Sequence, residues 1–381
     1  MIPYARQSLS EDDIAAVVRV LRSDFLTQGP EIEAFERAVA EKCGVPYAVA
    51  VSSATAGLHL AYQALGAGPG GEVWTSPNTF VSTANAARYC GARPDFIDID
   101  PRTYNLCPEK LEVLLKAGGR PKIVAPVHFT GQPAALAPIA TLARKYGFAV
   151  VEDAAHAIGA TYQGRPVGCC ELSDCAVFSF HPVKIITTGE GGMVLTRRKD
   201  LYEKLLRLRT HGITRSPDLM TRNDGPWYYE QLELGSHYRL TDFQAALGRS
   251  QLGRLDDFIS RRRELAVRYN ELLSGLPLTL PWQHPDGASS WHLYVVRLKL
   301  DRIRKTHRQV FEELRAAGIG VNLHYIPAHL QPDYRALGFQ SGMFQEAEAY
   351  YREALSLPMF AALTDPEQDQ VVDALRRILE N

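Results

Sequence analysis

Short apolar runs alternate with segments of helical periodicity through the first 240 residues. The runs at 47–51, 123–127 and 176–180 are largely apolar rather than alternating, which is typical of strands buried on both faces. Segments such as 136–146, which places apolar residues on one helical face and stops before Gly147, separate these runs. This alternation of predicted strands and helices indicates an α/β domain with a mostly parallel sheet and helices on both faces.

Other elements of this domain follow from the same patterns. Ser10 followed by Asp13 has the spacing of a capping box, so a helix is predicted to begin there. A second helix is predicted over 31–43, ending at Gly44, and a third over 54–65. The remaining predicted strands are 73–75, 96–99, 149–152 and 193–196.

The pattern changes after about residue 239. A long helix is predicted over 241–273, and we interpret the three consecutive arginines at 261–263 as a solvated face. We therefore predict two domains, a large α/β domain over residues 1–250 and a smaller α/β domain over 251–381. The later elements are a Pro/Gly-rich segment at 275–287, strands at 291–300 and 321–324, and helices at 305–317 and 367–379.

Composition narrows the class of protein. Lys plus Arg total 42 and Asp plus Glu total 43, and this balance argues against the clustered basic excess of nucleic-acid-binding proteins. The sequence contains neither an apolar stretch long enough to span a bilayer nor an N-terminal secretory signal. We therefore expect a cytoplasmic protein without nucleic-acid or membrane partners.

The six cysteines do not suggest metal chemistry. No two of them form a Cys-x-x-Cys pair, so no metal site is expected. For Cys169 and Cys170 we favour reduced structural thiols over a redox role.

Three polar segments follow predicted strands, at the edge where open α/β sheets form ligand crevices. The first contains Asp153 and His156. Because an unpaired buried carboxylate is costly, Asp153 needs a specific partner, and a protonated ring nitrogen would be one. Taken alone, however, Asp153 is more simply explained as the N-cap of the next segment.

The second segment places Lys184 in a turn-rich loop before a glycine cluster at 189–192. Apolar surroundings disfavour the ammonium form of a lysine and so lower its pKa. A neutral amine can attack a carbonyl and form a Schiff base, and the glycines would let backbone approach a planar ligand. The alternative is an ordinary surface lysine.

The third segment, residues 52–57, lies between a strand and a helix and is rich in small residues. The N–H groups of a helix N-terminus form a ready phosphate site, although a plain capping turn explains the segment equally well. Together, the three segments supply an anion site, a carboxylate and an amine. Those are the requirements of pyridoxal 5'-phosphate (PLP).

Two motifs resemble a known family. Residues 152–160 (EDAAHAIGA) and residues 179–192, which contain SFHPVK and GEGG, are similar to the signatures of the DegT/StrS-type nucleotide-sugar aminotransferases. The resemblance extends from 26–30 (LTQGP) to the C-terminal domain. It implies a fold-type-I PLP-dependent enzyme whose large domain binds PLP, and a homodimer with active sites at the subunit boundary.

The resemblance assigns roles to individual residues. Lys184 would carry PLP and move the proton during transfer, and Asp153 would pair with the pyridine nitrogen. His156 would lie near the ring, although a buried structural histidine remains an equal alternative. The other implied cofactor contacts are Phe80, stacked on the ring, and Ala54, Thr55 and Ser179, at the phosphate.

One position departs from the family pattern. The family places an Asn from the neighbouring subunit on the phosphate, and His237 stands at that position here. A histidine can donate a hydrogen bond, so the contact can survive with altered geometry.

The resemblance also points to a sugar substrate. Segments 181–188 (HPVKIITT) and 323–332 (LHYIPAHLQP) are most similar to the C4 aminotransferases of pseudaminic acid synthesis. His181 could face the sugar, and for Tyr4 an exposed terminal residue is the alternative to a substrate contact. The substrate contacts that the resemblance implies are Tyr4, Asp24, Phe25, Leu26, Thr27, His324 and Tyr325.

We therefore expect an aminotransferase that moves an amino group from L-glutamate, giving 2-oxoglutarate, to the C4 ketone of a UDP-linked 4-keto-6-deoxy-N-acetylhexosamine. One alternative is another nucleotide-linked 4-keto sugar, such as a D-configured UDP sugar or a GDP- or dTDP-sugar. An alternative of another class is a sensor that binds a sugar or PLP without turnover. Lys184 argues against the family's dehydratases, which lack the lysine.

Overall fold

The structure is a computed structural model that describes residues 1–380. Its helices are α1 (Glu11–Leu21), α2 (Pro30–Cys43), α3 (Ala54–Ala64), α4 (Ser82–Tyr89), α5 (Pro108–Lys116), α6 (Leu136–Tyr146), α7 (Lys199–Arg209), α8 (Asp242–Leu252), α9 (Leu255–Leu272), α10 (His307–Ala316), α11 (Pro332–Arg335), α12 (Gln345–Glu353) and α13 (Asp365–Glu380). Its strands are β1 (Tyr47–Val51), β2 (Glu72–Thr75), β3 (Arg93–Phe96), β4 (Ile123–Ala125), β5 (Ala149–Asp153), β6 (Thr161–Tyr162), β7 (Arg165–Pro166), β8 (Cys175–Ser179), β9 (Gly192–Thr196), β10 (Ile213–Thr214), β11 (Glu230–Gln231), β12 (Leu278–Thr279), β13 (Gly287–Ala288), β14 (Tyr294–Leu298) and β15 (Ala354–Leu357).

A seven-stranded sheet forms the centre of the first half of the chain. Its strand order is β1-β9-β8-β5-β4-β2-β3. Only β9 runs antiparallel to its neighbours β1 and β8, while the pairs from β8 to β3 are parallel. The predicted mostly parallel sheet is therefore confirmed.

Helices cover both faces of this sheet. Along β8, Ala176 and Phe178 belong to the core cluster that includes residues of α2 and α8. Cys175 and Val177 alternate with them and belong to the cluster that includes residues of α3 and α7. Because successive strand side chains point to opposite faces, one strand buries apolar residues on both sides of the sheet. The largely apolar runs in the sequence reflect this double burial.

Local signals fix several helix ends where the sequence predicted them. Ser10 and Asp13 form a reciprocal capping box at the start of α1. Gly44 and Gly147 end α2 and α6 in the left-handed conformation, which glycine adopts without steric cost.

The prediction of one continuous helix over 241–273 was wrong. The chain forms α8 and α9, separated by Gly253 and Arg254. Glycine has low helix propensity, which is consistent with a helix end at this position.

The arginine interpretation was also wrong at one position. Arg262 is only 2% exposed, and its guanidinium donates to the backbone carbonyls of Trp291, His292 and Met359 at 3.0–3.2 Å. Arg263 on the same helix is exposed, as predicted.

Two predicted strands differ from the structure. The strand expected over 96–99 lies three residues earlier, as β3, because Arg93 and Pro94 pair with β2 despite their poor strand propensity. The strand expected over 321–324 is reduced to one bridge between Asn322 and Ser356. β14 pairs with β15, which directly follows α12, and on its other side with β12.

A second, antiparallel sheet of order β12-β14-β15 organises the later part of the chain, and its core includes residues of α9, α10 and α13. The N-terminus packs on this part, since Ile2 forms a bridge with Ile319. The predicted division at residue 250 falls inside α8 and stays a prediction. Within residues 1–380, none of the helices is both long enough and apolar enough to cross a membrane.

Candidate active site

A cavity of about 730 Å³ opens at the carboxyl ends of β1, β5 and β8. It combines residues of the large sheet with residues from the later part of the chain. Its lining residues are Tyr4, Ser52, Ser53, Ala54, Thr55, Thr79, Phe80, Ser82, Val127, Asp153, Ala155, His156, Ser179, His181, Val183, Lys184, Glu190, His292, Asn322, Leu323, His324 and Tyr325.

Asp153 is the last residue of β5 and is only 4% exposed. Its Oδ2 accepts a hydrogen bond from the Thr83 hydroxyl at 2.6 Å, and its Oδ1 accepts one from the Ala155 N–H at 3.1 Å. The ion pairs of residues 1–380 give this carboxylate no cationic partner within 4.0 Å. The carboxylate therefore faces the cavity with fixed orientation and unused acceptor capacity.

Lys184 lies in the turn that follows β8. Its N–H donates to the His181 carbonyl, and the loop is anchored where the Thr187 hydroxyl and Thr188 N–H donate to the carbonyl of Phe180. Burial lowers the pKa of Lys184 to about 8, against the opposing attraction of Asp153. Near neutral pH, the neutral and nucleophilic fraction of this amine is therefore much larger than that of an ordinary lysine.

The start of α3 also lines the cavity. Ser53 caps the helix by accepting from the Ala56 N–H, so the first-turn N–H groups of Ala54 and Thr55 lack intrahelical acceptors. A Cβ on Gly192 would lie 2.6–2.7 Å from the backbone of Ser53 and Ala54. Only glycine lets β9 approach this closely, and the resulting cradle suits a phosphate.

His156 is buried beside two other ring systems. Its Nε2 lies 3.2 Å from the Tyr325 hydroxyl, and its ring centroid is 4.4 Å from that of His292. Burial, together with the charge of Lys184, holds the pKa of His156 well below its usual value. Its Nδ1 is buried without a hydrogen-bond partner, so this atom is available to a group bound in the cavity.

Phe80 is 56% exposed at the cavity. Its ring centroid lies 5.9 Å from that of Tyr325. An exposed aromatic ring at the mouth of a polar cavity is suited to stacking on a planar ligand.

Two of the predicted substrate residues, Tyr4 and His324, meet on one wall. Their ring centroids are 5.3 Å apart, and the Met359 N–H holds Tyr4 by donating to its carbonyl. Burial lowers the pKa of His324 to about 3, so its ring is neutral, and its Nδ1 lies 2.7 Å from the Ser356 hydroxyl.

The structure does not bring every predicted residue together. Within one chain, Asp24, Phe25, Leu26, Thr27 and His237 are exposed and do not line the cavity. The segment 24–27 is held in place near α8, where the Asp242 N–H donates to the Leu26 carbonyl.

Several cavity residues were missed by the sequence prediction. The cavity residues Thr79, His292 and Asn322 belong to no motif that we singled out, and neither does Thr83, which contacts Asp153. Thr83 reaches Asp153 across 70 positions, and no local pattern marks such a contact. The apolar run at 291–300 could have directed attention to His292, since a histidine inside a buried strand needs a partner.

The residues present fit PLP. The cavity holds a carboxylate without a cation, an amine with a lowered pKa, an orphaned imidazole nitrogen and a glycine-dependent cradle at a helix N-terminus. These groups suit a ring nitrogen, a carbonyl carbon, a ring substituent and a phosphate, respectively. In residues 1–380, no cluster of three or more His, Cys, Asp or Glu is placed to hold a metal ion.

The chain belongs to the DegT/DnrJ/EryC1/StrS aminotransferase family, whose model matches residues 7–376. This family is PLP-dependent, so the predicted family, fold and cofactor are confirmed.

Three relatives illustrate the similarity. The spore coat polysaccharide biosynthesis protein SpsC of Bacillus subtilis is 40% identical over 100% of this chain and 97% of its own. PseC of Helicobacter pylori, an aminotransferase involved in pseudaminic acid biosynthesis, has a TM-score of 0.92 at 30% identity, covering 100% of this chain and 99% of its own. Spr1654 of Streptococcus pneumoniae, in its PLP form, has a TM-score of 0.90 at 28% identity, covering 100% and 98%.

Proposed function

We propose that the protein is a sugar aminotransferase that uses L-glutamate to aminate the C4 ketone of a UDP-linked 4-keto-6-deoxy-N-acetylhexosamine. The product is UDP-4-amino-4,6-dideoxy-N-acetyl-β-L-altrosamine. The relationship to SpsC and PseC, whose names refer to polysaccharide and pseudaminic acid biosynthesis, supports a sugar substrate. The segments around Lys184 and His324 support this particular branch.

The observation that carries the proposal is the presence of both Lys184 and Asp153 in one cavity of about 730 Å³. The amine has a pKa lowered to about 8, and the carboxylate has no cation of its own. The volume of the cavity is of the size that small-molecule sites occupy.

PLP, when bound, withdraws electrons from the carbon that exchanges the amino group. In the proposed mechanism, Asp153 keeps a proton on the ring nitrogen, which strengthens that withdrawal. Lys184 Nζ would be the nucleophile that holds the cofactor's carbonyl carbon. Nζ would also accept the proton from the donor's α-carbon and later supply a proton to C4 of the sugar.

The other cofactor contacts orient the ring. The backbone N–H groups of Ala54 and Thr55 and the Ser179 hydroxyl would hold the phosphate, and Phe80 would stack on the ring face. His156, neutral because its pKa is held well below the usual value, lies close enough to the cavity to hydrogen-bond a ring substituent through Nδ1.

Tyr4, His181, His324 and Tyr325 form the wall where we place the sugar. Of these, His181 is exposed while His324 is buried. His181 precedes Lys184 by one turn, so we assign it a contact with the reacting end of the sugar.

We further propose a homodimer in which the partner completes each cavity. The segment at 24–27 and His237 lie outside the cavity of their own chain, and they would serve the partner's site. Large exposed apolar side chains support such an interface, among them Trp227 at 71% and Leu234 at 80% exposure.

A panel of 4-keto sugar nucleotides tests the substrate. The purified enzyme is incubated with L-glutamate and each UDP-, GDP- or dTDP-linked 4-keto sugar, and products are identified by mass and NMR. We expect amination at C4 of the UDP-linked N-acetylhexosamine with the L-altro configuration. Exclusive amination of a D-configured, GDP- or dTDP-linked sugar would reassign the substrate, and no amination at all would favour a sensor.

A further inference from the structure

A pair of buried threonines connects the Phe80 loop to Asp153. The Thr83 hydroxyl lies 2.6 Å from Asp153 Oδ2, and the Thr79 hydroxyl lies 2.7 Å from that of Thr83. Thr79 is 1% and Thr83 is 0% exposed. Hydrogen bonds in such a water-excluded place are stronger than at the surface.

The direction of the two hydrogen bonds follows from proton counting. A carboxylate has no proton to donate, so Thr83 must donate to Asp153. The single proton of Thr83 is then committed, and its oxygen must accept from Thr79. Thr83 therefore cannot also donate to the Phe80 carbonyl, which lies 3.3 Å from its hydroxyl oxygen.

The two threonine hydroxyls and the backbone together fix the orientation of the Asp153 carboxylate. Because the Ala155 N–H holds Oδ1 while Thr83 holds Oδ2, rotation of the carboxyl group would break one of two bonds. Hydrogen bonds to charged acceptors are among the stronger ones in proteins. The intervening residue Phe80 lines the same cavity, so one short segment contacts both the proposed ring face and the proposed partner of the ring nitrogen.

We propose that Thr79 and Thr83 are positioning residues, a hydroxyl relay that orients the Asp153 carboxylate toward the protonated ring nitrogen of the cofactor. This inference rests on the proposed pairing of Asp153 with that nitrogen. The relay acts through Asp153 and touches no reacting atom. Its loss should weaken specifically the binding that depends on the ring nitrogen.

Affinities of the cofactor-free protein for two ligands test the relay. One ligand is PLP, and the other is its 1-deaza analogue, in which carbon replaces the ring nitrogen. We expect Thr83→Val to weaken PLP binding about 10-fold and analogue binding less than about 2-fold. Thr83→Ser, which keeps the donor, should restore PLP affinity to within about 2-fold. Thr79→Val should weaken PLP binding about 3-fold.

Thr75→Val is the matched control. Thr75 is also fully buried, but its hydroxyl donates to the Ala125 carbonyl, so its loss should leave the ratio of the two affinities unchanged. An equal loss for both ligands in Thr83→Val, or no loss at all, would overturn the relay. Should Thr83→Val fail to fold, Thr79→Val carries the same comparison.

Asp153→Asn separates failure of the relay from failure of the proposed function. It should abolish the preference for PLP over the analogue. If Asp153→Asn keeps the preference, the pairing of Asp153 with the ring nitrogen is wrong. If Asp153→Asn loses the preference while Thr83→Val and Thr79→Val keep it, the relay alone is wrong.

Discussion

Two opposing influences set the state of Lys184. Removal from water disfavours the ammonium form, whereas the nearby Asp153 favours it, and desolvation dominates. The resulting pKa of about 8 keeps the amine reactive near neutral pH without removing its ability to carry a proton. A group with both abilities suits a residue that serves as nucleophile and as acid–base catalyst.

This lowered pKa predicts the pH dependence of cofactor capture. In the cofactor-free protein, only the neutral amine attacks the carbonyl, so the capture rate should rise with pH and level off above about 8. Stopped-flow absorbance with PLP over a pH series measures the midpoint. A rate that continues to rise toward pH 10.5, the ordinary lysine value, would contradict this account.

At the residue scale, the sequence indicated those candidate residues whose local sequence position marks them. Lys184 and Asp153 could be predicted because each lies at or shortly after the carboxyl end of a largely apolar strand, where polar side chains collect at a sheet edge. Thr83 and His292 could not, because their significance comes from contacts with residues far away in the chain. The residue roles themselves stay predictions until the variants are measured.

At the scale of elements, Arg262 connects α9 to two other segments. Its guanidinium holds the carbonyls of Trp291 and His292, just before β14, and of Met359, just after β15. Burial lowers its pKa to about 10, so it still carries its charge at neutral pH. Since His292 packs on His156, α9 supports one wall of the cavity.

Arg262→Met should therefore destabilise the protein strongly. The substitution keeps apolar volume but leaves three buried carbonyls without their donor, at a cost of about 3 kcal/mol. Denaturant unfolding measures the change. Arg263→Met is the matched control, because Arg263 is exposed on the same helix and should change the stability by less than about 0.5 kcal/mol. Equal effects of the two substitutions would contradict the role of Arg262.

Helices and strands were predicted correctly where local sequence determines their ends. They were predicted wrongly where the pairing of strands determines their position. The capping box at Ser10 and the glycines at 44 and 147 define helix ends by themselves. The position of β3 depends instead on which residues pair with β2, and β15 depends on its pairing with β14. Neither partner is visible in a local window of sequence.

At the scale of the whole molecule, the cavity is built from distant parts of the chain. Tyr4 comes from the N-terminus, Asp153 and Lys184 from the large sheet, and His292 and His324 from the later part. The bridge from Ile2 to Ile319 holds the N-terminal arm in place. We propose that the exposed segment 24–27 and His237, which lie outside this cavity, contribute to the cavity of the partner subunit.

The proposed homodimer has a direct test. Light scattering after gel filtration should give twice the 42.3 kDa mass of the chain. Leu234→Lys should shift the equilibrium toward the monomer, because it places a charge in the proposed apolar interface. Leu300→Lys, at a partly exposed leucine that we do not assign to the interface, is the control. A monomeric wild-type protein would refute the shared site.

The central claim is that the ε-amino group of Lys184 holds the cofactor's carbonyl carbon through a reversible carbon–nitrogen double bond. Borohydride reduction of the PLP-loaded protein makes that bond permanent, and peptide mapping by mass spectrometry then locates it. We predict that the pyridoxyl group lies on residue 184 and that Lys184→Ala abolishes the labelling. A modified lysine elsewhere, with residue 184 untouched, would contradict the account.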